Sequence, residues 1–392
     1  MVSIHFSTQF FPSDNPNTSL IAAFGAFAAG FLVRPFGGVV LGQIGDRIGR
    51  REALKLSVVA MATSTVFMAV LPTYKQIGLL APLGLITLRI IQGLSAGGEY
   101  TTSLVFLAEH APNNRRGLVT IWGLWGSVLG MLLGLGISSW LSNFLTTSQM
   151  TSWGWRLPFA LGLVVALAGL ILRHGLSSET PSNEAASPLR ELRHHWGAVL
   201  RVLSLNIGEC VGFYAAFVYV IDYIQTEAGQ SEAFAFALNT RVMALLLLFY
   251  PIMAWVSDRV GRRPLLIAGS LLLTLGGIPI FMLLHSGNSV LISRGEVLLM
   301  LSLALLAGAK NPANVELMPQ EIRCTGLALA FNIAEGYFGG TTPLIAAWLV
   351  STSGNPFLPG YWVAASGAIT LVTALLFTPE TYRMTLDPPL KD

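Results

Sequence analysis

Apolar residues in this chain come in long runs, separated by short stretches of charged residues, proline and glycine. Most runs approach or exceed the roughly 20 residues that a helix needs to cross a bilayer, and they are apolar all round, unlike the alternating strands of membrane barrels. The pattern therefore predicts an all-α polytopic membrane protein. Eleven spans are predicted, near residues 19–43, 52–71, 78–108, 117–145, 155–174, 198–225, 233–256, 263–285, 295–316, 324–351 and 358–378.

Composition narrows the possible classes further. Of the 392 residues, 53% are hydrophobic and 11% are charged, whereas an average soluble domain is roughly 25% charged. An ordinary cytosolic protein, a disordered chain, a nucleic-acid-binding protein and a disulfide-stapled secreted fold are therefore excluded. The two cysteines, Cys210 and Cys324, show no Cys-x-x-Cys or Cys/His spacing, so neither a metal site nor a structural disulfide is expected.

The positions of the basic residues predict the orientation. If the loop after the first span is cytoplasmic, sixteen of the 23 lysines and arginines face the cytoplasm, three face outward and four lie within spans. The positive-inside rule favours this arrangement. It places the polar stretch after residue 174 and the C-terminus in the cytoplasm, and residues 1–18 outside. The Phe10-Phe11-Pro12 sequence in that outer segment is typical of the end of a helix.

Two short loops repeat each other 212 positions apart, with GQIGDRIGRR at residues 42–51 and AWVSDRVGRR at residues 254–263. Glycine permits a tight reversal between helices, and aspartate can pair with arginine or with a helix N-terminus. One copy alone would be interpreted as a positively charged cytoplasmic turn with no moving part. Two copies predict a cytoplasmic gating motif whose ion pairs differ between states, formed by Gly42, Asp46, Arg47, Gly49, Arg50, Asp258, Arg259, Gly261 and Arg262.

The repeat also divides the chain into domains. An N-terminal bundle of five spans is predicted at 1–174, a cytoplasmic linker at 175–197, a C-terminal bundle of six spans at 198–378 and a cytoplasmic tail at 379–392.

Through these loops the chain resembles the major facilitator superfamily, whose corresponding loop carries G-x-x-x-D-R-x-G-R-[RK]. Further stretches make it similar to the metabolite:proton symporter branch, namely residues 34–38, 89–93 with 97–100, 108–112 with 115–117, 153–159, and 323–326 through 332–334 to 338–343. The resemblance implies two bundles of six helices. It also implies organic acids such as citrate, 2-oxoglutarate or shikimate, or zwitterions such as proline or betaine, as substrates.

The front of the chain departs from this family pattern. The Phe-Phe-Pro element closes the first helix of relatives, so the resemblance implies a truncated first helix here. The acidic residue that relatives carry in that helix, often implicated in proton coupling, then has no counterpart.

Ionisable groups inside predicted spans are few, and each costs free energy unless it has a partner, an aqueous cavity or a function. Arg89, Gln92 and Glu99 lie within about a quarter turn of one helix face. An arginine can hold a carboxylate, and a membrane-embedded glutamate can load and release a proton. The three residues are therefore candidates for the substrate and proton pathway. The alternative is that Arg89 and Glu99 tie neighbouring helices together.

The second half supplies further candidates for the same pathway. Asn206 and Glu209 share one face of their predicted helix, and Asn332 and Glu335 form a second polar stripe. Glu335 has three possible roles: a proton site, a counter-ion for Arg241 or Lys310, or a contact with a neighbouring helix. The counter-ion role is the simplest. The predicted pathway thus comprises Arg89, Gln92, Glu99, Asn206, Glu209, Arg241, Asn332 and Glu335.

Together these features predict a secondary active transporter, monomeric and multi-pass, in a bacterial inner membrane. It would move a small organic acid or zwitterionic metabolite with a proton, by rocking two bundles about a midplane site. Its partners would be the solute, protons and the lipid bilayer, with the proton gradient as energy source and no cofactor, metal or nucleic acid. One alternative is a truncated, non-transporting paralogue or membrane sensor on the same scaffold. A membrane-embedded enzyme is disfavoured, because the sequence shows no catalytic constellation.

Overall fold

The computed structural model describes residues 9–12, 26, 29–174 and 191–386. Most of residues 1–18, where the resemblance implies the end of a first helix, and most of the predicted linker therefore lie outside the described residues, although Gln9 and Phe10 are described and helical. The helices are α1 Arg34–Arg47, α2 Arg50–Val70, α3 Tyr74–Ile77, α4 Leu80–Glu109, α5 Arg116–Phe144, α6 Thr147–Ser152, α7 Leu157–His174, α8 Trp196–Tyr214, α9 Val220–Thr226, α10 Glu232–Val260, α11 Arg262–Leu284, α12 Ser289–Glu316, α13 Arg323–Ile333, α14 Thr342–Ser353 and α15 Leu358–Val372.

Within the described residues, eight helical segments are long and apolar enough to cross a bilayer. This confirms the predicted all-α polytopic class. Seven coincide closely with predicted spans, and the eighth, the first part of α5, covers Arg116–Gly134. The predicted span at 324–351 is instead divided by a π-helical turn, Ala334–Gly339, and by a two-residue turn before α14. A span broken in this way has backbone groups that need partners inside the protein, because lipid supplies none.

The chain packs into two compact units, which we call unit 1 (residues 1–103 and 130–185) and unit 2 (residues 104–129 and 186–392). In unit 1, α1 and α4 are in backbone contact. A Cβ on Gly93 would lie 2.0 Å from the carbonyl oxygen of Gly30, and a Cβ on Gly97 would lie 2.1 Å from that of Arg34. Only glycine allows this approach, which fixes the register of α4 beside α1.

In unit 2, α11 packs against both α12 and α15, and α12 also packs against α10. The helix that begins with α8 continues into α9 through a π turn, Ala215–Tyr219. A π turn closes its hydrogen bonds one residue later than an α-helix, so it leaves a backbone carbonyl available to a side chain.

A proline in α10 shows how unit 2 satisfies a backbone carbonyl that lacks its helical donor. Pro251 has no N–H, so the carbonyl of Leu247, four residues earlier, loses its helical donor. The indole Nε1 of Trp125 in α5 donates to this carbonyl oxygen at 3.0 Å. The side chain thus replaces the hydrogen bond that proline removes.

We expect Trp125→Phe to lower the free energy of unfolding by about 1–3 kcal/mol, because it leaves the Leu247 carbonyl without a donor. Thermal unfolding in detergent measures this. Trp122→Phe is the matched control, since Trp122 lies one turn away and is 49% exposed. Pro251→Ala restores a backbone N–H, so Trp125→Phe should cost less in that background. An equal cost in both backgrounds would disprove the assignment.

Candidate functional site

A buried ion pair joins α8 and α12 inside unit 2. The Nζ of Lys310 lies 2.6 Å from Oε2 of Glu209, and the two side chains are 1% and 5% exposed. One turn away on each helix, Asn206 and Asn314 exchange amide hydrogen bonds of 3.1 and 3.2 Å. Removing two charges from water costs several kcal/mol per ion, so a hydrophobic pair would hold these helices together at least as well. The pair is therefore weak evidence of added stability.

Glu335 faces the same part of α8. It accepts hydrogen bonds from the hydroxyl of Tyr214 at 3.2 Å and from Sγ of Cys210 at 3.4 Å. Its place in the π turn Ala334–Gly339 directs it there, and Gly339 gives it room, since a Cβ on this glycine would lie 2.9 Å from the Tyr214 ring. We call Asn206, Glu209, Lys310, Asn314 and Glu335 the polar cluster. It carries two carboxyl groups and one ammonium group.

The other two predicted pathway residues of the second half are Asn332 and Arg241. Asn332 is buried and donates to the carbonyl of Ala328 in its own helix at 2.7 Å. Arg241 is exposed on α10 and makes no hydrogen bond or ion pair with another residue in the described part of the chain. The structure therefore does not bring Arg241 to the polar cluster. The ion pair that it shows for Lys310 is with Glu209.

In unit 1 the structure brings Arg89 and Gln92 together. Arg89 Nη1 donates to Oε1 of Gln92 at 3.2 Å, and Gln92 Nε2 donates to Oγ1 of Thr65 in α2 at 2.9 Å. This chain of hydrogen bonds orients the guanidinium group. Glu99 lies ten residues further along α4 and is half-buried. Arg89 is thus a positioned cation in a hydrocarbon-spanning helix, which suits recognition of an anionic group.

The first copy of the repeated loop lies in unit 1. Gly49 adopts a φ of 123°, which reverses the chain between α1 and α2. Arg50 pairs with Asp46 at 3.4 Å and donates to the carbonyl of Gly45 at 2.5 Å. Gly42 is buried and Arg47 is exposed.

The second copy of the repeated loop lies in unit 2. Asp258 accepts hydrogen bonds from the backbone N–H groups of Gly117 and Leu118, each at 2.8 Å, and from Arg262 at 2.7 Å. A carboxylate at the N-terminus of α5 satisfies unpaired donors and favours the helix dipole. Gly261 takes a φ of 111° at the reversal. Arg259 is exposed and stacks on Trp255 at 3.7 Å.

Arg262 extends these contacts to Glu316 at the end of α12. Glu316 Oε1 lies 2.8 Å from Arg116 and 3.3 Å from Arg262, while Oε2 accepts from Thr381 at 2.6 Å. Another ion pair, Glu109 with Arg323, measures 2.9 Å. We call Asp258, Arg262, Glu316, Arg116, Glu109 and Arg323 the arginine network.

The sequence predicted Asp258 and Arg262 as gating residues but not Glu316, Arg116 or the Glu109–Arg323 pair. These residues lie at the ends of apolar runs, where charged residues are ordinary boundary features. Arg116, Glu316 and Arg323 are almost fully buried and Glu109 is partly buried, and burial at a helix end is visible only after the helices are packed.

Comparison with known proteins adds independent information. A family model described as "Sugar (and other) transporter" matches residues 3–183 and 177–388. A glycine betaine/proline/ectoine/pipecolic acid transporter of Dickeya dadantii is 36% identical over 390 residues, covering 95% of this chain and 77% of the relative. A shikimate transporter of Escherichia coli is 32% identical over 383 residues, covering 95% and 87%.

A solved structure agrees in fold. The proton:xylose symporter XylE bound to 6-bromo-6-deoxy-D-glucose superposes with a TM-score of 0.78 at 20% identity, covering 99% of this chain and 94% of that one. At this identity the likeness concerns the fold alone.

Proposed function

The chain belongs to the sugar (and other) transporter family of the major facilitator superfamily, and from this membership we propose that it carries a small zwitterionic solute across the inner membrane together with a proton. Proline and betaine exemplify the class of solute. We propose a monomer that works by alternating access, with the repeated loops and the C-terminus on the cytoplasmic side. The energy source is the proton gradient, and no cofactor takes part.

The charge of the polar cluster supports a zwitterion. The carboxylate of such a solute can replace Glu209 as the partner of Lys310, and its ammonium group can then pair with Glu209 or Glu335. Each buried charge keeps a counter-ion throughout this exchange, which avoids the cost of an unpaired ion. A dianionic solute would instead bring two negative charges beside two carboxyl groups, and like charges are strongly disfavoured at low dielectric.

An organic acid is the second candidate. The positioned guanidinium of Arg89 in unit 1 favours it, because arginine binds a carboxylate through two parallel hydrogen bonds. The similarity to a shikimate transporter is consistent with this class of solute.

The arginine network is the proposed gate. Asp258 holds the N-terminus of α5 through two backbone hydrogen bonds, while Arg262 and Arg116 share Glu316. These are short, discrete contacts that either form or break, as a two-state element requires. Transport then needs Asp258 to release α5 in the other state and to rebind it when the cycle closes.

Uptake into vesicles tests the proposed function. Purified protein in liposomes, with an acidic exterior, should accumulate labelled proline or glycine betaine above the equilibrium level. A protonophore should abolish the accumulation. Shikimate should compete weakly if the zwitterion is correct, and it should be the accumulated solute if the organic acid is correct. Failure to take up any member of the panel would favour a non-transporting membrane protein.

A further inference from the structure

A further buried carboxyl group in unit 2, that of Glu296, lies far from the polar cluster. Glu296 is 0% exposed and lies two turns into α12. Lys310 is fourteen residues further along this helix, a distance of about 21 Å at 1.5 Å per residue. Glu296 therefore takes no part in the contacts of the polar cluster, and the arginine network lies further still.

Glu296 has one polar contact in the described part of the chain. Its Oε1 accepts a hydrogen bond from Nδ2 of Asn239 in α10 at 2.9 Å, and its Oε2 has no hydrogen-bond partner there. A carboxylate in a protein interior needs several donors or a cation. One neutral amide donor is too little to stabilise a buried carboxylate, but it is sufficient to satisfy the carbonyl oxygen of a protonated carboxyl group.

Other titratable groups lie on the helices around Glu296, and none of them makes a hydrogen bond or ion pair with it in the described residues. Its own helix carries Arg294, which is exposed. The packed helices and their ends carry His285, Tyr219, Asp222, Tyr223, Glu227, Glu232 and Arg241. In the described residues, no cation therefore compensates a negative charge on the Glu296 carboxyl group.

Asn239 links this carboxyl group to the backbone of the neighbouring helix. Its Nδ2 also donates to the carbonyl of Ala216, at 2.8 Å, inside the π turn Ala215–Tyr219. That carbonyl is available because the N–H of Val220 bonds to Ala215, five residues back. If the turn became α-helical, Val220 would donate to Ala216 instead, and the Asn239 amide could turn both of its N–H groups to Glu296.

We propose that Glu296 is a proton-binding site of the transporter, protonated in this conformation, and that Asn239 couples its protonation to the π turn in the helix that carries Tyr214 and Glu209. When the turn becomes α-helical, the two N–H groups of Asn239 stabilise the carboxylate and the proton leaves. When the π turn forms again, Ala216 draws one N–H group away and a proton binds. The coupling role rests on the proposed proton symport, whereas the protonated state does not.

Infrared spectroscopy of purified protein in lipid vesicles at neutral pH tests the protonated state without any solute. The wild-type spectrum should contain a carbonyl stretching band of a protonated carboxyl group that Glu296→Gln removes. Glu232→Gln is the matched control, because Glu232 is exposed at the start of α10, and it should leave the band unchanged. If Glu296→Gln removes no such band, Glu296 is ionised and the proposal is wrong.

Asn239→Leu tests the link. The band should persist and move to higher frequency, because the hydrogen bond from Asn239 to the carboxyl oxygen lowers its stretching frequency. A band at the same position in this variant would show that Asn239 does not act on Glu296.

Transport assays then separate the coupling role from the proposed function. Glu296→Gln keeps the shape and the acceptor oxygen but cannot release a proton. It should exchange labelled for unlabelled solute at the wild-type rate and should lose accumulation against a gradient. Gradient-driven accumulation equal to wild type would overturn the coupling role. If the wild-type protein carries none of the solutes, the proposed function fails, while the infrared result for Glu296 stands or falls separately.

Discussion

Replacing Lys310 with methionine is expected to abolish transport and to destabilise the protein strongly. The variant leaves the Glu209 carboxylate buried without its counter-ion, and breaking a buried pair in this way typically costs about 3–5 kcal/mol. Transport is lost because the solute carboxylate has no cation to bind. Uptake in vesicles and thermal unfolding in detergent measure the two effects.

Two further variants separate charge from packing. Lys310→Met combined with Glu209→Gln removes both charges, so it should recover most of the stability but no uptake. Lys55→Met breaks the pair between Lys55 and Glu52, whose side chains are 29% and 48% exposed, and should cost at most about 1 kcal/mol with uptake intact. Normal uptake by Lys310→Met would remove the polar cluster from the solute pathway.

Replacing Glu316 with glutamine should open the arginine network. Glu316 is the shared counter-ion of Arg116 and Arg262, so its neutralisation leaves two buried guanidinium groups close together. We expect a loss of about 3–5 kcal/mol for this arrangement, far more than an exposed ion pair contributes. Slower transport should accompany a shift away from the conformation described here.

The chain contains a natural reporter for this shift. Cys324 is fully buried and follows Arg323 of the network, and Cys210 is the only other cysteine. In a Cys210→Ser background, Glu316→Gln should speed the reaction of Cys324 with a maleimide in membranes. Glu321→Gln is the matched control, because Glu321 is exposed in the loop between α12 and α13. This variant should leave the rate unchanged. An unchanged rate in Glu316→Gln would contradict the gate.

The spans and the repeated loops could be predicted from the sequence because lipid imposes a simple linear pattern. A helix in hydrocarbon needs a long apolar run, and its charged ends show where the run stops. The interruption at Ala334–Gly339 could not be predicted in this way. A π turn keeps the same apolar composition as an α-helix, and it is identified only in the folded chain, by a backbone hydrogen bond from the N–H of Gly340 to the carbonyl of Glu335, five residues back.

The sequence also could not predict which buried charged residues pair with one another. The sequence offered Arg241 and Lys310 as partners of Glu335, since all three were predicted inside spans. The structure pairs Lys310 with Glu209, which lies 101 positions earlier, because α8 packs directly on α12. Glu296 was overlooked because the predicted span began at residue 295, whereas α12 begins at Ser289 and encloses this residue two turns inside.

The two repeated loops show the same limit at the gate. Their sequences share five of ten residues, and in the second copy Asp258 binds the N-terminus of α5 through the backbone N–H groups of Gly117 and Leu118. The sequence predicted ion pairs that change between states. These two backbone donors lie more than one hundred residues away along the chain, so the loop sequence alone could not predict them.

The movement of a proton together with a zwitterionic solute can be measured directly. Liposomes containing the protein are held at the same pH inside and outside in a weakly buffered medium without sodium, and proline or glycine betaine is added outside. We expect a prompt rise in the external pH as solute enters, and no rise with Lys310→Met. Solute entry with no change in external pH, or entry only when sodium is present, would disprove proton symport.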